Sequence, residues 1–147
     1  PPVVMVWRIA AAAGRETSPV KKMVLGALAV ALSNLVLAFA GQLAASGGGL
    51  VHWSWLLLFF LVYTAGELYI LPVGLSLFVR LAPSGREATA IAAFFLCSFV
   101  GYLLSGYVGT WWSLMSPVAF FVAMAGITIL SGVVLLVGAP LLRRVNR

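Results

Sequence analysis

Glu67 stands in the middle of a long apolar run and is the only charged side chain well inside any such run in the chain. A carboxylate in hydrocarbon is costly, about 2.5–3.5 kcal/mol on insertion scales for a comparable Asp, so an intramembrane Glu is expected to face a cavity or partner and to serve function. Low dielectric favours the protonated form of a carboxyl group, and an approaching ammonium favours the charged form. Such a group can exchange a proton for a ligand. No cation sits near Glu67 on its own helix, which leaves a ligand, a proton or a helix from elsewhere as its partner. Close by, Pro72 has no N–H to offer the carbonyl of Leu68, and Gly66 and Gly74 weaken the helix on either side. A helix break beside an acidic group at mid-membrane is the arrangement expected at a substrate site with a gate. A proline kink without a gating role is the plainer alternative.

A second constellation lies further along. Phe94, Ser98, Tyr102 and Ser105 follow one another at steps of four, four and three, which places them on one helix face. Aromatic rings and hydroxyls in such a stripe suit the lining of a polar cavity. Ser105 also belongs to the series Gly101, Ser105, Gly109, whose four-residue spacing suits close helix packing, and packing is the better reading for it. Ser33 and Asn34 read as hydrogen-bonding groups between helices. The single cysteine, Cys97, excludes an intramolecular disulfide and reads as a small packing residue. His52, beside Trp53, reads as an interfacial histidine more readily than as a proton relay. Neither a metal-ligand spacing nor a catalytic dyad is present, so no cofactor, no metal and no enzymatic activity are expected.

The elements that carry these residues follow from composition. With 63% hydrophobic and 8% charged residues among 147 and a mean hydropathy of +1.14, the chain lies far outside the soluble range. Its apolar blocks are long enough to cross a hydrocarbon core as helices, and they lack the alternation of barrel strands. The expected fold is an all-α polytopic transmembrane helix bundle with spans over 23–45, 51–79, 88–112 and 118–142. A shorter apolar piece, 1–13, precedes them. Basic residues come after its apolar core, whereas a secretory signal begins with them, so it reads as the remnant of a truncated helix and the chain as a fragment. Lys and Arg fall in three clusters: Arg8, Arg15, Lys21 and Lys22; Arg80 and Arg86; Arg143, Arg144 and Arg147. All three lie on one side, and the loops on the other side carry none, which makes the clustered side and the C-terminus cytoplasmic. Trp53, Trp55, Trp111 and Trp112 mark the outer interface. The net charge of +6 is therefore a set of membrane-surface anchors that suits anionic headgroups. It does not form a nucleic-acid-binding face.

The segment Gly66-Glu67-Leu68-Tyr69-Ile70-Leu71-Pro72-Val73-Gly74-Leu75-Ser76, followed by Arg80-Leu81-Ala82-Pro83, resembles the tenth helix and following loop of the proton-dependent oligopeptide transporter family, within the major facilitator superfamily. The resemblance makes the four spans helices nine to twelve, residues 1–13 the end of helix eight, and residues 1–147 part of the family's C-terminal transmembrane half. It implies a proton-coupled symporter of di- and tripeptides in a bacterial inner or plasma membrane. In it Glu67 helps to bind the peptide's amino terminus and senses protonation, and Phe94 and Ser98 line the cavity. Leu71 stands where the motif usually has serine, Phe94 where tryptophan is usual and Tyr102 where asparagine is common. These departures bear on the peptides accepted more than on the proton role of Glu67. The family's E-x-x-E-R signature and its carboxylate-binding basic residues belong to the N-terminal half and do not occur here. The expected partners are thus small peptides, protons, the lipid bilayer and that missing half, without which the chain is not expected to transport. A small assembly or scaffold subunit that does not transport, with Glu67 paired to a basic residue of another helix, is the competing class.

Overall fold

A computed structural model describes residues 18–145. The piece 1–13, with Arg8, and also Arg15 and Arg147, lie outside the described residues. Four helices follow in order: α1 (Pro19–Ser46), α2 (Ser54–Leu81), α3 (Glu87–Gly109) and α4 (Pro117–Val145), with a short 3-10 turn, Thr110–Ser113, after α3. All four are long and apolar enough to cross a membrane. In hydrocarbon a backbone must satisfy its own polar groups, and a helix does so within one segment.

The ends have local causes. Pro19 opens α1 and Pro117 opens α4, positions where the missing N–H is not needed and the ring's fixed φ suits a helix. α1 closes when the Gly47 N–H reaches the Leu43 carbonyl at 2.9 Å. Gly48 and Gly49 then turn the chain at φ of 98° and 101°, where a Cβ would be strained. α2 stops at Leu81 because Ala82 precedes Pro83 and is pushed into extended backbone, φ −69° and ψ 139°.

α1 is the hub, packing extensively against both α2 and α4. Its buried positions are almost all small: Gly26, Ala27, Ala31, Ser33, Ala38 and Ala40, with Asn34. Small residues let membrane helices approach until backbones touch, which is how such bundles gain van der Waals contact without a hydrophobic driving force. At the crossing with α2, a Cβ built on Gly26 would lie 2.7 Å from the Gly66 carbonyl oxygen, and one built on Gly66 would lie 2.8 Å from the Gly26 carbonyl oxygen. Gly132 of α4 meets Ala27 in the same way at 3.5 Å, and Gly41 meets Val118 at 3.4 Å. Ser33 and Asn34, expected to bond between helices, both donate to the Val30 carbonyl of their own helix, at 2.7 and 2.9 Å. A donor four or fewer residues from a carbonyl on its own helix finds it first.

α3 is peripheral. It touches α2 along a thin seam and buries none of its residues. No side chain approaches the Cβ positions of Gly101 and Gly109 within 4 Å, and Ser105 is exposed, so the packing expected of that series is not made among the described residues. One end of the bundle is aromatic: Phe39 of α1 meets Trp55 of α2 at 5.5 Å, and Trp112 meets Phe120 of α4 at 5.2 Å edge-on.

Candidate functional site

The seam between α2 and α3 opens into a groove of about 460 Å³ lined by Thr64, Glu67, Leu68, Leu71, Pro72, Leu75, Phe94, Phe95, Ser98 and Tyr102. That volume falls within the range of small-ligand sites. Periodicity explains the lining. Thr64, Glu67, Leu68, Leu71 and Leu75 repeat at three- and four-residue steps along α2, and Phe94, Ser98 and Tyr102 repeat at four-residue steps along α3, so each helix offers one face. The groove thereby joins Glu67, Phe94, Ser98, Tyr102 and Pro72, five residues singled out by type and spacing. Ser105 is not among them.

The groove is graded from a polar end to an apolar one. At the polar end Glu67 is half-buried. Tyr63 lies one turn earlier on the same helix face, and Tyr102 shares the groove with Glu67 across the seam. At the other end Phe94 closes the seam. Its ring stands edge-on to Phe78 at 5.3 Å, and its rim lies 3.2 Å from where a Cβ of Gly74 would be. The Ser98 hydroxyl donates to the Phe94 carbonyl at 2.9 Å, so its proton is already committed.

The expected helix break takes a different form. α2 is continuous from Ser54 to Leu81 with Pro72 inside it, so the lost donor at Pro72 does not interrupt the helix. Gly66 and Gly74 do not line the groove; both are buried in helix contacts, Gly66 against α1 and Gly74 against Met23 and Phe94. A glycine in a membrane helix is as much a means of close approach as a weak point, and here close approach is what both provide.

Two groups escaped the sequence reading. Tyr63 carries the signal of a four-residue step from Glu67. The second is a wider crevice of about 720 Å³ between α3 and α4, lined by Phe78, Phe94, Cys97, Ser98, Leu130, Ser131, Val134 and Leu135. Cys97, expected to pack, is exposed there. No spacing rule links α3 to α4, so the crevice had no sequence signature. His52 shares a 2.9 Å hydrogen bond with Ser54 at the exposed start of α2. Among the described residues no group of three or more His, Cys, Asp or Glu is placed to hold a metal ion.

An all-α bundle of four membrane-crossing helices with a carboxylate in an interhelical groove is an integral membrane protein. Over 123 residues, 84% of its length, the chain is 31% identical to a di-/tripeptide transporter of Lactococcus lactis, covering 24% of it. It is 30% identical over 150 residues to the peptide transporter YePEPT of Yersinia enterocolitica, covering 97% of the chain and 29% of the relative. Against dipeptide and tripeptide permease B of Edwardsiella piscicida the identity is 33% over 97 residues, 66% of the chain and 20% of the permease. No protein-family profile and no solved structure matches the chain. The chain belongs to the proton-dependent oligopeptide transporter family and spans about a quarter of the length of the curated relatives it matches.

Proposed function

We propose that this chain forms one wall of the substrate cavity in a proton-coupled symporter of di- and tripeptides, with Glu67 as the group that holds the peptide's ammonium and takes up the proton. The observation that carries the reading is the groove itself, which places a lone carboxylate beside hydroxyls and aromatic rings between two membrane helices. The relatives named as peptide transporters support the substrate class.

In the charged form Glu67 attracts an ammonium strongly, about 4 kcal/mol for a pair about 4 Å apart at an effective dielectric of about 20. A proton arriving from the outer side neutralises the carboxylate and weakens that hold. The peptide is then free to leave on the cytoplasmic side, and loss of the proton to the cytoplasm restores the charged form. Peptide and proton move in the same direction. Pro72, one turn and a half from Glu67, is the proposed point of flexing, since the Leu68 carbonyl lacks its usual helical donor. Residues 1–147 are one part of the C-terminal half, running from the end of helix eight through helix twelve. Transport belongs to the complete protein, because a substrate site of this kind lies between two halves and this chain supplies one wall of it. The basic clusters and C-terminus face the cytoplasm of a bacterial cell.

The test is uptake of labelled dialanine into vesicles carrying the complete transporter, with and without an inward proton gradient, in the wild type and in Glu67→Gln. The expected result is uptake driven by the gradient in the wild type and reduced at least about tenfold by a substitution that keeps shape and removes the charge. Uptake indifferent to gradient and substitution would remove Glu67 from the coupling role. Absent uptake would favour a subunit that does not transport.

A further inference from the structure

We propose that the α2–α3 groove selects peptides by the side chain of their first residue, favouring large apolar ones over acidic ones, with Leu71 as the specificity-determining residue. The proposal rests on the peptide-transport reading above and adds to it the kind of peptide.

The grading of the groove carries the inference. α2 and α3 run in opposite directions, joined by the short loop 82–86. Phe94 meets Gly74 and Phe78 near that loop, and Tyr102, two turns further along α3, lines the groove further from it. Glu67 therefore belongs to the polar end. Below it come Leu71 and Leu75 on α2, faced by Phe94 and Phe95 on α3. Among the described residues, the lining of this lower part holds no charge and no free donor: Pro72 has no N–H, and the Ser98 hydroxyl is committed to the Phe94 carbonyl at 2.9 Å. Leu71 is 42% exposed and is available to a ligand in the groove.

Distance along the helix selects the first residue. Leu71 lies one turn from Glu67, about 6 Å along the axis at about 1.5 Å per residue, and Leu75 lies about 12 Å away. In a peptide the ammonium and the first side chain leave the same carbon. An ammonium on Glu67 places that side chain within one turn, at Leu71. An apolar side chain there covers Leu71, Leu75 and the Phe94 ring and releases their water. A carboxylate there loses its hydration, finds no donor and lies beside the negative charge of Glu67. The side chain of the second residue lies beyond the peptide bond, toward the part of the cavity that this chain does not line.

The test is competition against labelled dialanine in vesicles carrying the complete transporter, with Leu-Ala, Asp-Ala and Ala-Leu as competitors. The expected result is that Leu-Ala halves dialanine uptake at a concentration at least about tenfold below that needed for Asp-Ala, with Ala-Leu gaining less than Leu-Ala. In Leu71→Ser, each ratio taken against that protein's own dialanine uptake, the advantage of Leu-Ala shrinks; in Leu71→Met, which keeps volume and apolarity, it is retained. Equal potency of Leu-Ala and Asp-Ala in the wild type, or a ratio that Leu71→Ser does not move, overturns the proposal while peptide transport stands. Absence of saturable dialanine uptake in the wild type overturns both.

Discussion

Glu67 is legible from sequence because a charge inside an apolar run has a cost that must be met by something. Gly66, its neighbour, reads from sequence as a weak point of the helix. Whether a glycine in a membrane helix loosens the backbone or admits another helix depends on what lies across from it, and across from Gly66 is the backbone of Gly26. That contact makes a prediction. In Gly66→Ala or Gly26→Ala the new methyl group would stand 2.7–2.8 Å from a carbonyl oxygen, where nothing flexible can give way, so α1 and α2 must separate. The expected cost is about 1–3 kcal/mol, read as a lowered midpoint of thermal unfolding in detergent. Gly74→Ala should cost less, because the nearest atoms, at 3.2 and 3.5 Å, are the side-chain ends of Phe94 and Met23. Equal losses at all three positions would mean that the crossing is looser than the geometry requires.

At the scale of elements, the four spans follow from lengths of apolar sequence alone, and the observed helices match them to within a few residues at most ends. What apolar length does not say is which helix is central. α1 is the hub because its small residues recur on the faces turned to α2 and α4, whereas α3, also apolar enough to cross a membrane, buries nothing. Ser33 and Asn34 were misread for a related reason: polar residues in a span announce a need for a partner, and their own helix met it. Pro72 is the remaining element-scale question. Because α2 continues through it, Pro72→Ala should supply the absent donor to the Leu68 carbonyl without rebuilding the helix. If the flexing of α2 at that point opens and closes the groove, this variant raises the thermal midpoint and lowers the maximal rate of dialanine uptake, with a smaller change in KM. A raised midpoint with an unchanged maximal rate would make Pro72 a kink and nothing more.

At the scale of the whole molecule, the groove lies between α2 and α3, α3 buries none of its residues, and the chain covers about a quarter of the relatives it matches. In the proposed transporter, the bare face of α3 is where the remainder of the protein packs. Orientation belongs to this scale as well. Lys and Arg are absent from the α1–α2 loop and from residues 110–116, and present at Arg80 and Arg86. A cysteine replacing Leu50, exposed in the α1–α2 loop, should accordingly react with a membrane-impermeant maleimide in intact cells, and one replacing Ser84 only after permeabilisation; the reverse pattern would invert the topology. The central claim is that the α2–α3 groove holds the peptide. The direct measurement is the rate at which a maleimide labels a lone cysteine at position 98, introduced as Ser98→Cys in a complete transporter otherwise free of cysteine, with and without dialanine. The account predicts that dialanine slows labelling at position 98 and leaves unchanged the rate at a cysteine replacing Ser131, on the α4 side of the neighbouring crevice. Labelling at position 98 indifferent to dialanine, in a protein that still takes it up, would contradict it.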